Sequence, residues 1–471
     1  MPHKKVVIIG GGISGIKAAI DLYNGGIKNT VILESSSRLG GRLLTIESKE
    51  YPGITYDFGA SWFHDCLNNP LLEKAKSLGH VAYYFDDGKC VYFNEDSKNI
   101  DKWKFETILD ELITYGSYIY TKNPEKEDLS VKALSEEYIG KYHDTLTSEQ
   151  INLVLGAIRM WTELWLGESW DLISGKYFFN DLGHLGRNAF VKNGYKNVFI
   201  NELKELPRIY RDSSIKFNAH VTSIDYGNPE RILIKLKDGR RYTCDYVIST
   251  IPQSLLKISN PKDECFVEWI PEIPPTIKNV LPDVSFSSLG KVVFEFDECF
   301  WPRDVERFYG LSKNSPLPDQ TKPWDYPTIL INYQVINNIP ALIALTQNPL
   351  SKYIEDLPSS EKSSKIWSIF KPVISQISTI GNEIPKPKAI YHTPWNNNPL
   401  ARGSYGASLV GTQDPSLVIK AFVEGHQDRI RFAGAETMDD SSNGCAHGAW
   451  FSGKREAEFI LIQERSKKSK L

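Results

Sequence analysis

Residues 4–15 read Lys-Lys-Val-Val-Ile-Ile-Gly-Gly-Gly-Ile-Ser-Gly, and the fold is decided there. The β-branched run predicts a strand, and the apolar stretch continuing to Leu22 predicts a helix. Between them Gly10, Gly12 and Gly15 stand at the spacing of a dinucleotide-binding turn. Gly10 permits the sharp turn, Gly12 lets backbone approach a diphosphate, and Gly15 lets the helix pack closely on the strand. The anion would rest at the helix N-terminus, where unpaired N–H groups face it. A glycine triplet alone also fits an ordinary strand-to-helix turn. The next segment separates the two readings: Thr30-Val-Ile-Leu33 predicts a second strand ending in Glu34, an acid about 20 residues past the last glycine and placed to accept from ribose hydroxyls.

The stretch after Glu34 distinguishes FAD from NAD. Arg38-Leu-Gly40-Gly41-Arg42 sets a second glycine doublet between two arginines, bringing more backbone and positive charge to the diphosphate and flavin side of a ligand. That pattern points to FAD.

Composition narrows the class. The chain has 471 residues, enough for about three domains of ~150 residues. Its formal net charge of −3 leaves no basic excess for phosphates, so nucleic acid is not an expected partner. Apolar residues at 41% exclude a disordered or collagen-like chain. Aromatics at 12% suit a pocket for a planar or cationic ligand. Cys66, Cys90, Cys244, Cys265, Cys299 and Cys445 are scattered and the histidines dispersed, so neither a disulfide framework nor a metal site is expected. Lys4-Lys5 before an apolar stretch imitates a signal peptide, but the glycine spacing and the missing cleavage site mark it as structure. No run of 18 apolar residues occurs, so a spanning helix is not expected. Ser469-Lys470-Leu471 matches the terminal tripeptide read by the peroxisomal import receptor; the expected location is the peroxisome, with the cytoplasm as the fallback.

Dinucleotide-type segments recur at residues 1–79, 194–254 and 428–471, which predicts one domain assembled from three pieces. A mainly helical stretch, 80–193, and a strand-rich stretch, 255–427, are expected to form a second domain over the ligand.

Further motifs carry a resemblance. They are Tyr56-Asp-Phe-Gly-Ala-Ser-Trp-Phe-His-Asp65, Asp245-Tyr-Val-Ile-Ser-Thr-Ile-Pro252, Leu289-Gly-Lys-Val-Val-Phe-Glu-Phe296, Trp395 with Arg402-Gly-Ser-Tyr405, and Arg431-Phe-Ala-Gly-Ala-Glu-Thr437 with Gly444-Cys-Ala-His-Gly-Ala-Trp450. With the N-terminal fingerprint, the chain resembles the flavin-dependent amine oxidases over nearly its whole length, and most closely the fungal polyamine oxidases. The resemblance implies an α/β fold: a Rossmann-like FAD-binding domain of the GR2 type with a discontinuous α+β substrate-binding domain. It implies oxidation of spermine or N-acetylated polyamines by hydride transfer to FAD, with oxygen as acceptor and hydrogen peroxide as product. Gly59, Ala60, Ser61, Gly434, Glu436 and Ala446 join the cofactor-binding candidates.

The resemblance also assigns roles. Lys291 alone reads as a strand-start lysine with a solvated head. In the family the matching lysine lies under the flavin, where burial lowers its pKa and suits it to handle protons. His64 alone reads as a structural histidine; in fungal polyamine oxidases the matching residue faces the substrate amine, where an imidazole can take or give a proton near neutral pH. Lys291 and His64 are therefore the catalytic candidates. Trp62, Trp165, Trp395 and Tyr405 are the candidate aromatic walls, Trp395 and Tyr405 resembling the pair that flanks the amine. Among the acids Asp86-Asp87, Glu163, Glu168 and Asp171, the reading selects Asp87 and Glu163 for the distal ammonium groups of a polyamine. Ser404 stands where monoamine oxidases carry the cysteine bonded to flavin, so non-covalent FAD is expected. His447 and Phe451 replace a tyrosine and a glutamate of close fungal relatives, and Phe63 a histidine. Two alternatives stay open: an oxidase of monoamines or amino acids from the same superfamily, and a steroid-binding flavoprotein without turnover.

Overall fold

In the computed structural model the glycine-rich stretch folds as its spacing predicts. Strand β1 (His3–Ile9) runs into helix α1 (Ile13–Asn24), and β2 (Thr30–Leu33) returns parallel to β1. The structure describes residues 1–178, 183, 185–312 and 321–469; Lys470 and Leu471 of the terminal tripeptide lie outside them. Four further elements position the site: α2 (Ser148–Leu166), β3 (Arg241–Ser249), β4 (Gly290–Glu295) and β5 (Ile430–Phe432), with α3 (Ala446–Ser469) closing the chain.

β1 is buried from Val6 to Ile9, as a strand covered on both faces must be. It lies between β2 and β3 and is parallel to both. The first half of β3 pairs antiparallel with Ile232–Leu236, while its end pairs parallel with β5 through Val247 and Ile430. The carboxyl ends of β1, β3 and β5 therefore stop together: Thr250 N–H donates to Ile9 O at 2.9 Å and Ala433 N–H to Ser249 O at 3.0 Å. α1 and α3 pack on one face, where a Cβ on Gly453 would meet the Ser14 carbonyl oxygen at 2.1 Å.

The other face departs from the domain division read from sequence. Glu268–Ile270, placed in the substrate-binding part, pairs parallel with Val221–Asp225 of the large sheet. Helices Pro275–Val280 and Pro415–Glu424 cover the same face, burying Ile277, Val418 and Phe422 with Ile224 and Phe432. Apolar faces, not chain order, assign these segments.

A second, six-stranded sheet runs Ala389–His392, β4, Ala341–Thr346, Thr328–Asn332, Arg307–Gly310 and Cys90–Phe93. Helices Glu106–Lys122, Val131–Tyr142 and α2 share its core. α2 starts in a capping box between Thr147 and Gln150 and ends at Gly167, whose φ of 72° takes the left-handed cap that glycine favours. The carbonyls orphaned at that end are taken by site residues: Tyr405 hydroxyl donates to Trp165 O, Ser287 hydroxyl to Leu166 O, and the Ser288 and Asn348 amides to Gly167 O at 3.1 and 3.0 Å. A small sheet of Trp62–Phe63, Ala189–Val191 and Tyr83–Phe85 stands beside them.

Within the dinucleotide turn the backbone itself closes in at Gly15, where a Cβ would lie 2.2 Å from the Gly10 carbonyl oxygen. Gly15→Ala is expected to push α1 off β1, lowering stability by about 1–3 kcal/mol and reducing bound flavin, as checked by melting and by flavin absorbance of the purified protein.

Candidate active site

The cofactor candidates converge on the crevice at the strand ends. Gly12 is the N-cap of α1 with no side-chain cap, and nothing lies within 4 Å of where its Cβ would be. That open space before unpaired helix N–H groups fits a diphosphate. Gly10 has φ +108°, and a Cβ there would meet the Thr250 hydroxyl at 2.1 Å, so the turn requires glycine. Gly40 and Gly41 lie against this turn, Gly40 N–H donating to Gly11 O at 2.9 Å. Glu34, at the end of β2, accepts from Gly11 and Ser36 N–H at 2.8 Å each. Sequence reasoning passed over Gly11; its N–H pins Glu34, and a Cβ there would strike Leu39 at 2.4 Å.

The arginines divide. Arg38 braces its own loop, donating to Gly41 O at 2.7 Å and Leu43 O at 3.3 Å. Arg42 pairs with Glu436 through both its terminal nitrogens and donates to Ser404 O at 2.8 Å. Arg42, Thr250, Gly434 and Glu436 line one crevice. Ala446 opens α3 beside them. Gly59 lies against Arg42, where a Cβ would sit 1.6 Å from the Arg42 carbonyl oxygen. A cradle at Gly12 with a fixed guanidinium at Arg42 fits FAD.

Lys291 follows Gly290 at the start of β4, 5% exposed. Its Nζ donates to Asp57 O at 2.8 Å, Gly59 O at 2.6 Å and Ser61 Oγ at 2.5 Å, and lies 5.7 Å from the centre of the Trp62 ring. Burial lowers its pKa to about 8, against the opposing field of the Asp57 carboxylate. Asp57, which sequence reasoning did not select, is buried and pushed up to about 6 by desolvation.

His64 and Trp62 lie beyond the same segment. Their rings stack at 6.2 Å, His64 Nδ1 is 2.9 Å from Asn188 Oδ1, and Trp62 Nε1–H donates to Asp86 Oδ2 at 2.8 Å. Asp86 is pushed up to about 6 by burial, with Arg307 at 3.2 Å opposing the shift. Asp65 accepts from Leu185 N–H and Ser441 hydroxyl at 2.7 Å each, and its Oδ2 lies 3.1 Å from His447 Nε2. The departure at His447 thus ties the start of α3 to the turn carrying His64.

Three sequence selections are corrected. Asp87 is exposed and paired with Arg187 at 2.7 Å, because the chain leaving Tyr83–Phe85 turns Asp86 inward and Asp87 outward. Glu163 is wholly buried on α2, bonded to Arg159 at 3.0 Å and Gln347 at 2.8 Å, so it joins α2 to the second sheet. Trp395 is 2% exposed, its indole N–H donating to Phe58 O at 2.8 Å and its carbonyl accepting from Gly403 N–H at 2.9 Å, so its ring packs inside the protein instead of offering an open wall. Trp165 keeps 37% of its surface exposed beside Tyr405. Glu168, past the end of α2, is half-buried, accepts from Ser169 N–H at 2.9 Å and is raised by burial.

The lowered Lys291 sets a pH dependence. Between about 8 and its ordinary 10.5 the unfolded chain holds the proton that the folded protein releases, so the cost of burying this group is relieved as pH rises through that window. Wild type is expected to gain melting temperature relative to Lys291→Met between about pH 8 and 10; parallel curves of melting temperature against pH would contradict the shift.

The comparisons agree with this geometry. The profile of the flavin containing amine oxidoreductases matches residues 13–461. The corticosteroid-binding protein of Candida albicans (strain SC5314 / ATCC MYA-2876) is 33% identical over 97% of this chain and 96% of its own length. Polyamine oxidase 4 of Oryza sativa subsp. japonica is 27% identical over 95% of this chain and 86% of its own. The lysine-specific histone demethylase 1 homolog 1 of the same rice is 25% identical over the whole chain, which spans 54% of that relative. With the glycine cradle, the Arg42–Glu436 pair and the buried Lys291 in place, the chain belongs to the flavin containing amine oxidoreductases, whose cofactor is FAD.

Proposed function

We propose that this oxidoreductase acts on polyamines such as spermine or an N-acetylated derivative, giving a shorter amine, an aminoaldehyde and hydrogen peroxide. The observation that carries the reading is the meeting of a desolvated lysine with the stacked Trp62–His64 wall on one segment, residues 57–64. FAD, held at the Gly12 cradle and beside Arg42, would supply a two-electron acceptor for the hydride of the carbon beside the reacting nitrogen, and oxygen the final acceptor. The residues of the chain do the rest. Trp62, Trp165 and Tyr405 offer aromatic faces that exclude water and orient an amine. His64 takes the proton of an incoming ammonium, since hydride leaves more readily beside a neutral nitrogen. Lys291 exchanges a proton at Nζ near its lowered pKa. Glu168, the half-buried acid next to the Trp165 end of α2, is the candidate for a distal ammonium. Ser404 gives no thiol for a flavin bond; its hydroxyl oxygen instead accepts from Leu289 N–H at 2.8 Å, which supports non-covalent FAD. We assign the terminal Ser469-Lys470-Leu471 to peroxisomal import, a location that suits a source of peroxide.

A second reading has one observation behind it: the relative described as corticosteroid-binding spans nearly the whole chain. An aromatic pocket can hold a fused-ring ligand without turnover.

Anaerobic mixing with spermine, N-acetylspermine and benzylamine decides. Spermine or its acetylated form is expected to bleach the flavin absorbance, and air to restore it with stoichiometric peroxide. Bleaching by benzylamine alone moves the substrate to monoamines; tight corticosteroid binding with no bleaching by any amine favours the second reading. In Lys291→Met, flavin reduction or reoxidation is expected to slow about 100-fold or more, and full rates in both would remove its role. Glu168→Gln is expected to raise KM for spermine about tenfold with kcat little changed; an unchanged KM would dismiss the anchor.

A further inference from the structure

We infer that Asp57 sets the charge state of Lys291, acting as a positioning residue through its buried carboxylate. The inference rests on reading Lys291 as a group that handles protons in the oxidase. Asp57 closes the strand Thr55–Asp57, and two of its parts face different ways. Its carbonyl oxygen accepts one Lys291 N–H at 2.8 Å. Its carboxylate accepts the Thr45 hydroxyl and the Tyr195 N–H, the latter at 3.0 and 2.9 Å to its two oxygens. Thr45 and Tyr195 N–H bring hydrogen bonds without charge, so the cation whose field opposes the burial of Asp57 is Lys291. Among the described residues, the other titratable groups that face Asp57 are Tyr195, from the helix Tyr195–Leu203, and Tyr333, from Tyr333–Asn337. Both are buried phenols held well above their ordinary range, and they stay neutral.

The surroundings of Nζ accept either charge state. As an ammonium, Lys291 has three N–H bonds and three acceptors: Asp57 O, Gly59 O and Ser61 Oγ. As a neutral amine it keeps two N–H bonds for the carbonyls and presents a lone pair, to which the Ser61 hydroxyl can donate by rotation. Hydrogen bonding is therefore nearly balanced between the two states, and two opposing electrostatic effects decide. Burial favours the amine; the carboxylate of Asp57 favours the ammonium. Asp57 thus keeps the proton affinity of Lys291 within the range where a proton can come and go, instead of letting burial strip it at every working pH.

Asp57→Asn is a clean cut, because the backbone carbonyl to Lys291 remains while the side-chain charge goes. The first readout needs no amine: melting temperature against pH for wild type and Lys291→Met, and for Asp57→Asn and Asp57→Asn/Lys291→Met. The pH at which the Lys291-dependent gain sets in is expected to fall by about one unit or more in the Asp57→Asn background, a tenfold or greater loss of proton affinity. The second readout is the rate at which photoreduced flavin is reoxidised by air, whose Lys291-dependent limb is expected to move to lower pH with it. If Asp57→Asn does not accumulate as folded holoenzyme, Asp57→Ser takes its place: it removes the charge, keeps the backbone carbonyl to Lys291 and leaves a hydroxyl oxygen that can accept in place of the carboxylate. The shift is expected in the same direction. An unmoved midpoint in whichever variant folds overturns the inference. A shifted midpoint in a protein that no polyamine bleaches supports it while removing the polyamine reading, so the two failures are distinguishable.

Discussion

The structure turns on keeping one ammonium out of water. A buried lysine head is tolerable only with its N–H groups satisfied, and the acceptors for Lys291 all come from residues 57–61. That requirement fixes how closely the segment approaches β4. It also explains why position 59 has no side chain: Gly59 lends its carbonyl to Lys291 while the Arg42 carbonyl occupies the space a Cβ would take. Arg42 in turn holds Glu436 and the Ser404 carbonyl. One charge, through the close approach that Gly59 permits and the bonds of Arg42, joins the second-strand region, the substrate-side sheet and the C-terminal motif.

Polar groups behind the aromatic walls set their orientation. The Trp62 indole is held by Asp86, Asp86 by Arg307, and Arg307 by Glu306 at 3.0 Å. Tyr405 is held by the carbonyl of Trp165, a bond that exists only because α2 ends there and leaves its last carbonyls without helical partners. The His64 turn is fixed from two sides, by Asn69 side-chain N–H donating to His64 O at 2.6 Å and by Asp65 reaching Ser441 and His447. Each of these groups is therefore fixed by a hydrogen bond to its polar atoms, which leaves its ring faces apolar. Preorganisation of this kind lowers the ordering cost of binding a flexible amine.

What was legible in the sequence was what depends on short spacing. The glycine turn, the strand ending in Glu34 and the doublet at Gly40-Gly41 specify backbone geometry within a few residues, and they lie where they were read. The acids were less legible because a single residue of strand phase or helix phase decides their side. Asp86 and Asp87 are chemically equal, and only the direction in which the chain leaves Tyr83–Phe85 distinguishes them. Glu163 carried a visible signal in Arg159, four residues earlier on the same helix, which marks an internal ion pair as readily as a ligand site. Trp395 was read with Tyr405 from a resemblance of motifs, which says nothing about the Phe58 carbonyl that its indole meets. Asp57 lay inside a recognised motif, yet its effect on Lys291 arises only across two strands from different sheets. The assignment of Glu268–Ile270 to the large sheet depends likewise on a pairing distant in sequence.

The burial of Lys291 also bears on turnover against binding alone. Desolvation lowers the pKa of this lysine and raises that of Asp57, so at neutral pH the fold sustains two groups in charge states that burial disfavours. A pocket needed only to hold an apolar ring system gains nothing from such a pair; apolar residues of similar volume would often leave it as stable or more stable. An oxidase has a use for it, because the site must move protons as electrons leave the amine and reach oxygen. The relatives carry names of both kinds, a corticosteroid-binding protein and polyamine oxidases, so fold alone does not separate the two readings. The Lys291–Asp57 pair, retained at a standing cost in stability, weighs for chemistry in this chain.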